Sequence, residues 1–455
     1  MSAYIEPRVL KGFRDFLPAA EITRKDLIDK IEESFRSFGF VPIDTPVLEY
    51  AEILLGKGGG ETEKQIYRFS DNGGRDVAMR FDLTVPFARF MAEHRQELPL
   101  PFKRYHIAKA WRGENTQRGR YREFIQCDCD IVGSKGPAAD FEILLMLKNT
   151  LEPICGGGVK IHFNHRGLFN RFLERLDIRD KSADVLRIVD KIAKIGREET
   201  RKQLAEVIGN RAEEILDYIE VKGTFEEKLK YMTEAALGVH GSPVDSSFTE
   251  SEMQNCPESD CLSLIHDFMK ETKTEDSFIL NPAITRGLDY YTGLVFESFL
   301  DDLPEIGSVG SGGRYDNLVD LYTKPNTGEP LGGVGASIGI DRLMAALEAL
   351  GKLQTRASYS KAAIACIRET DSGRSQALAG TLRKEKIPCE VFLVEEKLSK
   401  QYMFAEKKGI RWLIIPGETA GNIVTVRDLS VRVNHEVSPG ELAAFFDQHE
   451  KENIS

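Results

Sequence analysis

The segment from Phe124 to Ile131 alternates polar and apolar residues without a break, and this pattern limits what the chain can fold into. Because successive side chains of a β-strand point to opposite faces, it predicts a strand with one apolar and one polar face. The apolar face carries Ile125, Cys127, Cys129 and Ile131, and the opposite face carries Phe124, Gln126, Asp128 and Asp130. A polar row that begins with an aromatic residue favours a ligand platform over plain solvent exposure. The alternative, a solvated charged hairpin, does not explain the alternation.

The segment Ile284–Glu297 also indicates a binding site. It places Arg286, a carboxylate and the phenols of Tyr290 and Tyr291 among glycines, and then continues into strand-like apolar sequence. A guanidinium offers a planar fork of donors for carboxylate or phosphate, and the tyrosines add rigid walls with a hydroxyl at the tip. The segment predicts one lip of a pocket for a small charged ligand. A tyrosine-rich strand with a surface arginine is the alternative.

The composition predicts a soluble globular chain of two or three domains. It has 455 residues, of which 41% are hydrophobic and 29% charged. No apolar run approaches the ~20 residues of a membrane-spanning helix. Glu6 and Pro7 stand where a signal peptide needs an apolar stretch, so we expect no export and no membrane association.

Seven cysteines, an odd number, predict reduced thiols and a cytoplasmic location. Their spacing does not match common zinc patterns, so we expect no metal site built from protein side chains. The net charge of -11 does not exclude a nucleic-acid partner, because a large acidic protein can carry a local basic surface.

Changes of pattern along the chain predict its organisation. Charged helical patterns mark an insertion, a polar stretch marks a linker, and short apolar strands alternating with helices mark a small domain. The predicted segments are a first part of the main domain at 1–176, a helical insertion at 177–273, a second part of the main domain at 274–350, a linker at 351–361, and an α/β domain with a mainly parallel sheet at 362–455.

Basic and acidic side chains around the alternating strand are candidates for contacts with a nucleotide. Arg112 and Glu114 share a face of the preceding strand, where they suit a phosphate and a base edge. The following loop carries Arg118, Arg120 and Arg122, a positive cluster suited to polyphosphate or RNA.

Three further positions are candidates for ligand contacts. Asp82 and Thr84 suit an ammonium group, although either could instead cap a helix. Arg342, at the start of a helix, suits stacking on a planar ligand, with a surface salt bridge as the alternative. The glycine-dense stretches at 307–313 and 332–339 lack the spacing of a phosphate-binding loop or a dinucleotide fingerprint.

These residues resemble a known family. The segment 22–49, the strands around Arg112 and Phe124, and the glycine-rich strand before Arg342 resemble motifs 1, 2 and 3 of class II aminoacyl-tRNA synthetases. Arg286–Tyr291 and Ser311–Asp316 resemble two signatures of the histidyl-tRNA synthetase family. The resemblance covers nearly the whole chain. It implies an α+β catalytic domain with a mostly antiparallel sheet flanked by helices, interrupted by the helical insertion, and a C-terminal anticodon-binding domain.

The family's reaction is adenylation of histidine by ATP, followed by transfer of the histidyl group to the 3′ end of tRNA. The resemblance implies ATP with bound Mg²⁺ as a substrate, no prosthetic group, and a homodimer with motif 1 at the interface. It also implies a role for each matching residue. Arg112 and Arg286 hold the α-phosphate, Glu114 reads the adenine amino group, Phe124 and Arg342 sandwich the ring, and Arg120 holds the distal phosphates.

For histidine, the resemblance implies two groups of contacts. Asp82, Thr84 and Gln126 bind the ammonium group and Arg286 reaches the carboxylate, while Asp130 and Tyr291 reach the imidazole nitrogens and Tyr290 and Tyr315 shape the pocket. In the C-terminal domain a helix offers basic residues with aromatic ones between them, which suits single-stranded RNA. These are Lys397, Lys400, Gln401, Tyr402, Phe404, Lys407, Lys408 and Arg411. A solvated helix face is the alternative there.

Two other functions fit parts of the sequence. A catalytically silent relative, such as the regulatory subunit of ATP phosphoribosyltransferase, shares the same core, but such regulators typically lack the C-terminal domain and the phosphate-binding arginines. Another class II synthetase is opposed by the two histidine signatures.

Overall fold

The computed structural model describes residues 4–56, 61–238, 256–285, 290–324, 329–417 and 423–451. It divides into two compact units, Met1–Arg14 with Leu27–Lys352, and Asp15–Asp26 with Leu353–Ser455. Among the helices of the described residues, none is long and apolar enough to cross a membrane. The predicted boundaries near residues 177, 274 and 351 stay predictions.

A large mixed sheet is the centre of the first unit. Within the described residues its strands are β1 (Val41–Pro42), β5 (Phe102–Trp111), β6 (Glu123–Val132), β7 (Val159–His165), β8 (Phe278–Leu280), β9 (Leu294–Leu300), β10 (Gly310–Tyr315) and β11 (Gly333–Gly339). Their order is β1-β5-β6-β11-β10-β9-β7-β8. The two outermost pairs are parallel and the inner pairs are antiparallel. The long strands β5 and β6 therefore lie side by side next to β11.

A small antiparallel sheet of β2 (Leu48–Tyr50), β4 (Asp76–Met79) and β3 (Arg68–Ser70) belongs to the same unit. Its helices are α2 (Ala51–Leu55), α3 (Glu61–Gln65), α4 (Thr84–His94), α5 (Pro137–Cys155), α6 (Arg166–Arg175), α7 (Ser182–Val189), α8 (Ile192–Ile208), α9 (Ala212–Ile219), α10 (Phe225–Leu237), α11 (Pro257–Glu271) and α12 (Ile340–Ala349). An N-terminal helix, α1 (Pro18–Ser37), begins in the second unit's residues and ends in the first's.

Helix α5 shows how the sequence places an element against the large sheet. Pro137 stands in its first turn, where the missing N–H costs nothing, and Gly156 ends it in the left-handed conformation with φ 69°. Leu144 and Leu147 are buried on the side that packs against β7 and β11. The helix thus covers one face of the sheet.

The second unit has a smaller sheet in the order β13-β12-β14-β15-β16. Its strands are β12 (Ala362–Ile364), β13 (Cys389–Val391), β14 (Trp412–Ile415), β15 (Val424–Asp428) and β16 (Val433–Val437), and its helices are α13 (Ser372–Lys384), α14 (Leu398–Lys407) and α15 (Leu442–Lys451). The pairs of β12 are parallel, but β14–β15 and β15–β16 are antiparallel. The prediction of a mainly parallel sheet is therefore wrong for its second half. The connection from Asp428 to Val433 is too short for the crossover that parallel strands require.

Two glycines on adjacent strands allow the large sheet to pack tightly. A Cβ atom on Gly312 of β10 would lie 2.1 Å from the carbonyl oxygen of Gly335 on β11 and 2.5 Å from the ring of Phe296. Such separations are far inside van der Waals contact, so any side chain at this position must move the backbone.

We expect Gly312→Ala to lower the free energy of unfolding by about 2 kcal/mol or more, because the added methyl group meets backbone atoms that cannot rotate away. Gly310→Ala is the matched control on the same strand. Its Cβ would lie 3.2 Å from the end of Leu147 and 3.5 Å from the next atoms. Urea unfolding followed by circular dichroism measures both variants. Equal losses would contradict the packing argument.

Candidate active site

A cavity of about 810 Å³ lies in the first unit. The polar face of β6 forms part of its wall with Phe124, Gln126, Asp128 and Asp130, and strands β9, β10 and β11 contribute further residues. Gly335 makes room at this point, since a Cβ there would lie 2.0 Å from a carboxylate oxygen of Asp130. The alternation in the sequence therefore coincides with the wall of the cavity.

Part of the cavity wall is acidic, and its carboxylates, those of Asp128 and Asp130, are buried. A third buried carboxylate, that of Asp82, lies outside the wall, and all three residues are 2% exposed or less. Arg104, on β5 directly opposite Asp130, donates from Nη2 to Asp130 Oδ2 at 2.6 Å and stacks 4.1 Å over the ring of Phe87. Among the described residues, this guanidinium forms the only ion pair with any of the three carboxylates.

Burial is the main cause of the raised pKa values of these three acids. It raises the pKa of Asp82 to about 6 against the opposing effects of the Val85 N–H and Arg112. It raises the pKa of Asp128 to about 7, with Arg104 opposing and Asp130 reinforcing the shift. The pKa of Asp130 is also raised by burial, while Arg104 and the Tyr315 hydroxyl favour its charged form. Binding of protons or of a cationic ligand would therefore stabilise these buried acids.

The cavity wall also has a basic part formed by Arg112, Arg120 and Arg342, of which Arg112 also acts on the buried Asp82. Arg112 donates from Nε to the Phe81 carbonyl at 2.9 Å and lies 5.0 Å from the centroid of Phe124. Arg342 donates to the Ser308 carbonyl at 2.6 Å, and burial, followed by Arg120, lowers its pKa. An anion with several charges would satisfy this cluster.

Matches to two family models account for both units. One, described as histidyl-tRNA synthetase, matches residues 12–343, and the other, an anticodon binding domain, matches residues 361–449. The first match alone spans more than half of the chain.

The chain belongs to the histidyl-tRNA synthetase family.

Individual relatives agree with the family models. The histidine–tRNA ligase of Treponema denticola is 52% identical over 421 residues, which are 90% of this chain and 89% of the relative. That of Treponema pallidum is 46% identical over 439 residues, 94% of this chain and 95% of the relative. The crystal structure of histidyl-tRNA synthetase from Nostoc sp. has a TM-score of 0.84 at 28% identity and covers 98% of this chain and 100% of that chain.

The structure brings most of the predicted site residues of this synthetase-family chain together. The cavity wall includes Thr84, Arg112, Glu114, Arg120, Phe124, Gln126, Asp130, Tyr290, Tyr291, Tyr315 and Arg342. Glu114 lies 3.9 Å from Arg120 as a weak ion pair. Arg286, the predicted catalytic arginine, lies outside the described residues.

Asp82 is placed differently from the other predicted residues. It is not in the cavity wall, and Tyr290 donates a hydrogen bond of 3.3 Å to its carboxylate. Its other oxygen accepts from the N–H of Val85 in the first turn of α4 at 3.1 Å. Asp82 therefore accepts a backbone N–H of the first turn of α4, although the N-cap residue of this helix is Leu83, and Tyr290 connects this acid to the cavity.

Reasoning from the sequence missed Arg104 and left Asp128 without a role. Asp128 could have been assigned from the alternation that places it between Gln126 and Asp130. Arg104 gave no such signal, because its importance comes from the β5–β6 register that sets it opposite Asp130.

The predicted RNA-binding helix of the second unit corresponds to α14, and several of its candidates already have partners, among them Lys400, which pairs with Glu396 at 3.0 Å. Gln401 is buried and bonds to both backbone groups of Cys366, so a solvent-facing role for it is wrong. Arg411 pairs with Asp428 at 2.7 Å and Lys408 with Glu390 at 2.6 Å. Lys397, Lys400, Lys407 and Phe404 are exposed.

Arg104→Met is expected to lower the free energy of unfolding by about 3–5 kcal/mol, because it leaves Asp130 buried without its partner. Adding Asp130→Asn removes the stranded charge, so the double variant should lose less than the sum of the two single losses. Urea unfolding of all four proteins completes this cycle. Additive losses would mean that the two side chains do not act as a pair.

Asp128→Asn is expected to change how stability depends on pH. The folded protein keeps a proton on Asp128 up to about pH 7, whereas an unfolded chain releases it near the ordinary value of 3.8. The wild type therefore loses stability as pH rises between these values, by on the order of 4 kcal/mol, and is steady above them. Relative to the wild type, the variant should gain stability from about pH 4.5 to about pH 7.5 in urea unfolding. A difference that does not vary with pH would contradict the burial effect.

Proposed function

We propose that this chain activates histidine with ATP and transfers the histidyl group to the 3′ end of tRNA. The observation that carries the proposal is the charge of the cavity wall, which combines buried carboxylates with guanidinium groups. An amino acid with a cationic ammonium group and a nucleotide with anionic phosphates fit these two kinds of group together. The histidine–tRNA ligases among the relatives support the same reaction.

At the basic part of the wall, the proposed ATP contacts are those that the family resemblance implies. Arg112 and Arg286 hold the α-phosphate and Arg120 holds the distal phosphates. Phe124 and Arg342 enclose the adenine, whose amino group bonds to Glu114. The Arg112 guanidinium already rests over Phe124, so the phosphate and adenine subsites are adjacent.

Near the acidic part of the wall, Thr84, Gln126 and Asp82 are proposed for the ammonium group and Arg286 for the carboxylate. Tyr290, in the cavity wall, donates a hydrogen bond to Asp82, so we assign Asp82 to the same subsite. For the ring, the resemblance implies Asp130 and Tyr291, with Tyr315 below. Both oxygens of Asp130 already accept bonds, from Arg104 and from Tyr315 at 2.6 Å each, so a contact with the ring would be a third.

The chemistry follows from this placement. A carboxylate oxygen of histidine bonds to the α-phosphorus while pyrophosphate leaves, and a terminal ribose hydroxyl of tRNA then attacks the carbonyl carbon while AMP leaves. Negative charge accumulates on the α-phosphate in the first step, so cations fixed beside it contribute most. Mg²⁺ enters on the ATP phosphates as part of the substrate. Among the described side chains, no group of three or more potential ligands is arranged to hold a metal ion.

We further propose a cytoplasmic homodimer whose C-terminal unit binds the tRNA anticodon. All seven cysteines are free thiols, which suits a reducing compartment. Val41, Val47 and Leu48, in the motif 1 segment 22–49, expose between 40% and 47% of their surface, as an apolar dimer contact requires.

Histidine-dependent exchange of pyrophosphate into ATP, measured beside charging of tRNA, tests the function. Arg112→Ala should lower the exchange rate by about 10²–10³-fold, because it removes a cation from the α-phosphate. Arg68→Ala, which removes an exposed arginine paired with Asp76, is the control and should leave the rate unchanged. Histidine binding without exchange by the wild type would instead favour the regulatory-subunit function.

A further inference from the structure

Arg14 is an arginine of the N-terminal segment that has no assigned role. Its guanidinium lies 3.7 Å from the ring centroid of Tyr121, and its Nη2 atom donates to the Oδ1 atom of Asp341. Tyr121 and Asp341 are both residues of the cavity wall, whereas Arg14 is not. The Arg14 side chain therefore contacts two wall residues without lining the cavity itself.

Asp341 lies where strand β6 meets the end of β11 and the start of α12. The ladder between the two strands ends at the pair of Gly339 and Gln126. One residue further along β6, the backbone N–H of Ile125 donates to Asp341 Oδ2 at 3.3 Å. The carboxylate thus continues the contact between β6 and the following helix beyond the end of the ladder.

The neighbours of this contact are the two residues that enclose the proposed adenine subsite. Phe124 precedes Ile125 on β6, and Arg342 follows Asp341 in the first turn of α12. The guanidinium of Arg342 is fixed separately, by donating to the Ser308 carbonyl at 2.6 Å. The position of Phe124 relative to the Arg342 backbone therefore depends on the carboxylate of Asp341.

Arg14 supplies the positive charge that this carboxylate needs. Asp341 is 6% exposed, and within the described part of the chain its ion pair with Arg14 is the only one that it forms. Without the guanidinium, the backbone N–H of Ile125 alone would remain to hold a buried charge, and one neutral donor does not compensate its desolvation. We therefore expect Asp341 to turn away from Ile125 when Arg14 is removed.

The segment that carries Arg14 is itself fixed beside strands β5 and β6. The carbonyl of Gly12 accepts from the N–H of Arg122 at 2.9 Å, and the Arg122 carbonyl accepts from the N–H of Arg112 at 2.9 Å. Gly12 has φ 88°, a left-handed conformation that favours glycine, and a Cβ there would lie 2.7 Å from the Arg122 side chain. Arg14, two residues later, is therefore held in a defined position.

We propose that Arg14 is a positioning residue for nucleotide binding, which acts through Asp341 on the two residues that enclose the adenine, Phe124 and Arg342. This inference rests on the proposed function, because that function assigns the adenine to these two residues. Arg14 does not contact the ligand. It fixes Asp341, and Asp341 fixes the strand and the helix relative to each other before the nucleotide binds, so less ordering is required on binding.

Arg14→Met tests the proposal in the pyrophosphate exchange assay. The KM for ATP should rise by about 10-fold or more, because the adenine subsite is no longer preorganised, while the KM for histidine stays near the wild-type value. Arg8→Met, which changes an exposed arginine of the same N-terminal segment, is the matched control and should alter neither constant. An unchanged KM for ATP, or an equal rise of both constants, would overturn the proposal.

Calorimetric titration with AMP and with inorganic tripolyphosphate locates the effect. AMP carries the adenine, and tripolyphosphate carries phosphates without it. Arg14→Met should bind AMP about 10-fold more weakly and tripolyphosphate as the wild type does. Weakening of tripolyphosphate alone would mean that Arg14 acts through Tyr121 on the neighbouring Arg120, which would overturn the assignment to the adenine subsite. Because these titrations need no turnover, absence of exchange by the wild type would refute the proposed function, while AMP binding would still decide the role of Arg14.

Asp341→Asn tests whether Arg14 acts through this carboxylate. Asparagine keeps an oxygen for the N–H of Ile125 but has no charge for Arg14. If the two residues act as a pair, the double variant should bind AMP no more weakly than the weaker of the two single variants. Additive losses of AMP affinity would overturn the proposal.

Arg14→Lys separates positioning from a purely structural role, and it provides the comparison if the methionine variant does not fold. Lysine restores the charge but not the planar fork of donors. Its AMP affinity should lie between those of the wild type and Arg14→Met, with the thermal unfolding midpoint unchanged. A midpoint that falls in step with AMP affinity across these variants would mean that Arg14 only stabilises the fold, and would overturn the proposal.

Discussion

The ion pair between Arg104 and Asp130 is the interaction on which the candidate active site depends. It joins the two longest strands of the large sheet at a point that solvent does not reach, and it supplies positive charge where three carboxylates converge. A buried pair of this kind contributes little net stability, because desolvation offsets the attraction. Its value lies in position: it allows acids to be buried beside a cavity without all of them being protonated.

From this pair the electrostatics of the cavity follow. Burial raises the pKa of Asp82 to about 6 and that of Asp128 to about 7, so in the ligand-free site Asp128 is only partly ionised near neutral pH. Among the guanidinium groups of the wall, burial lowers the pKa of Arg342, and the charges of Arg120 and Arg112 lower it further. The carboxylates therefore have too little positive charge beside them, and the guanidinium groups too little negative charge. Each set is complementary to one part of a zwitterionic or mixed-charge ligand. The folded protein holds these charged groups in position before a ligand binds, and electrostatic catalysis requires such preorganisation.

The sequence allowed much of this to be predicted, where local patterns determine structure. The alternation from Phe124 to Ile131 identified the strand, its buried side and the side that lines the cavity. The family resemblance then supplied further wall residues, among them Arg112, Tyr291 and Arg342. Arg104 could not be found in this way, because its role depends on cross-strand register, which local sequence does not specify. Gln401 was misassigned for a related reason. Its side-chain amide forms hydrogen bonds with the backbone of Cys366, which is distant in the sequence.

The glycines of the large sheet have a genetic consequence. Every nucleotide change that alters a glycine codon to another amino acid adds at least one carbon atom. At Gly312 that atom would overlap a backbone oxygen, and at Gly335 it would overlap the carboxylate of Asp130. We therefore expect no single-nucleotide change that replaces either glycine with another amino acid to be without effect on the protein. Because no amino acid is smaller than glycine, no other residue at these two positions can leave the same space, and the width of the cavity depends on both glycines.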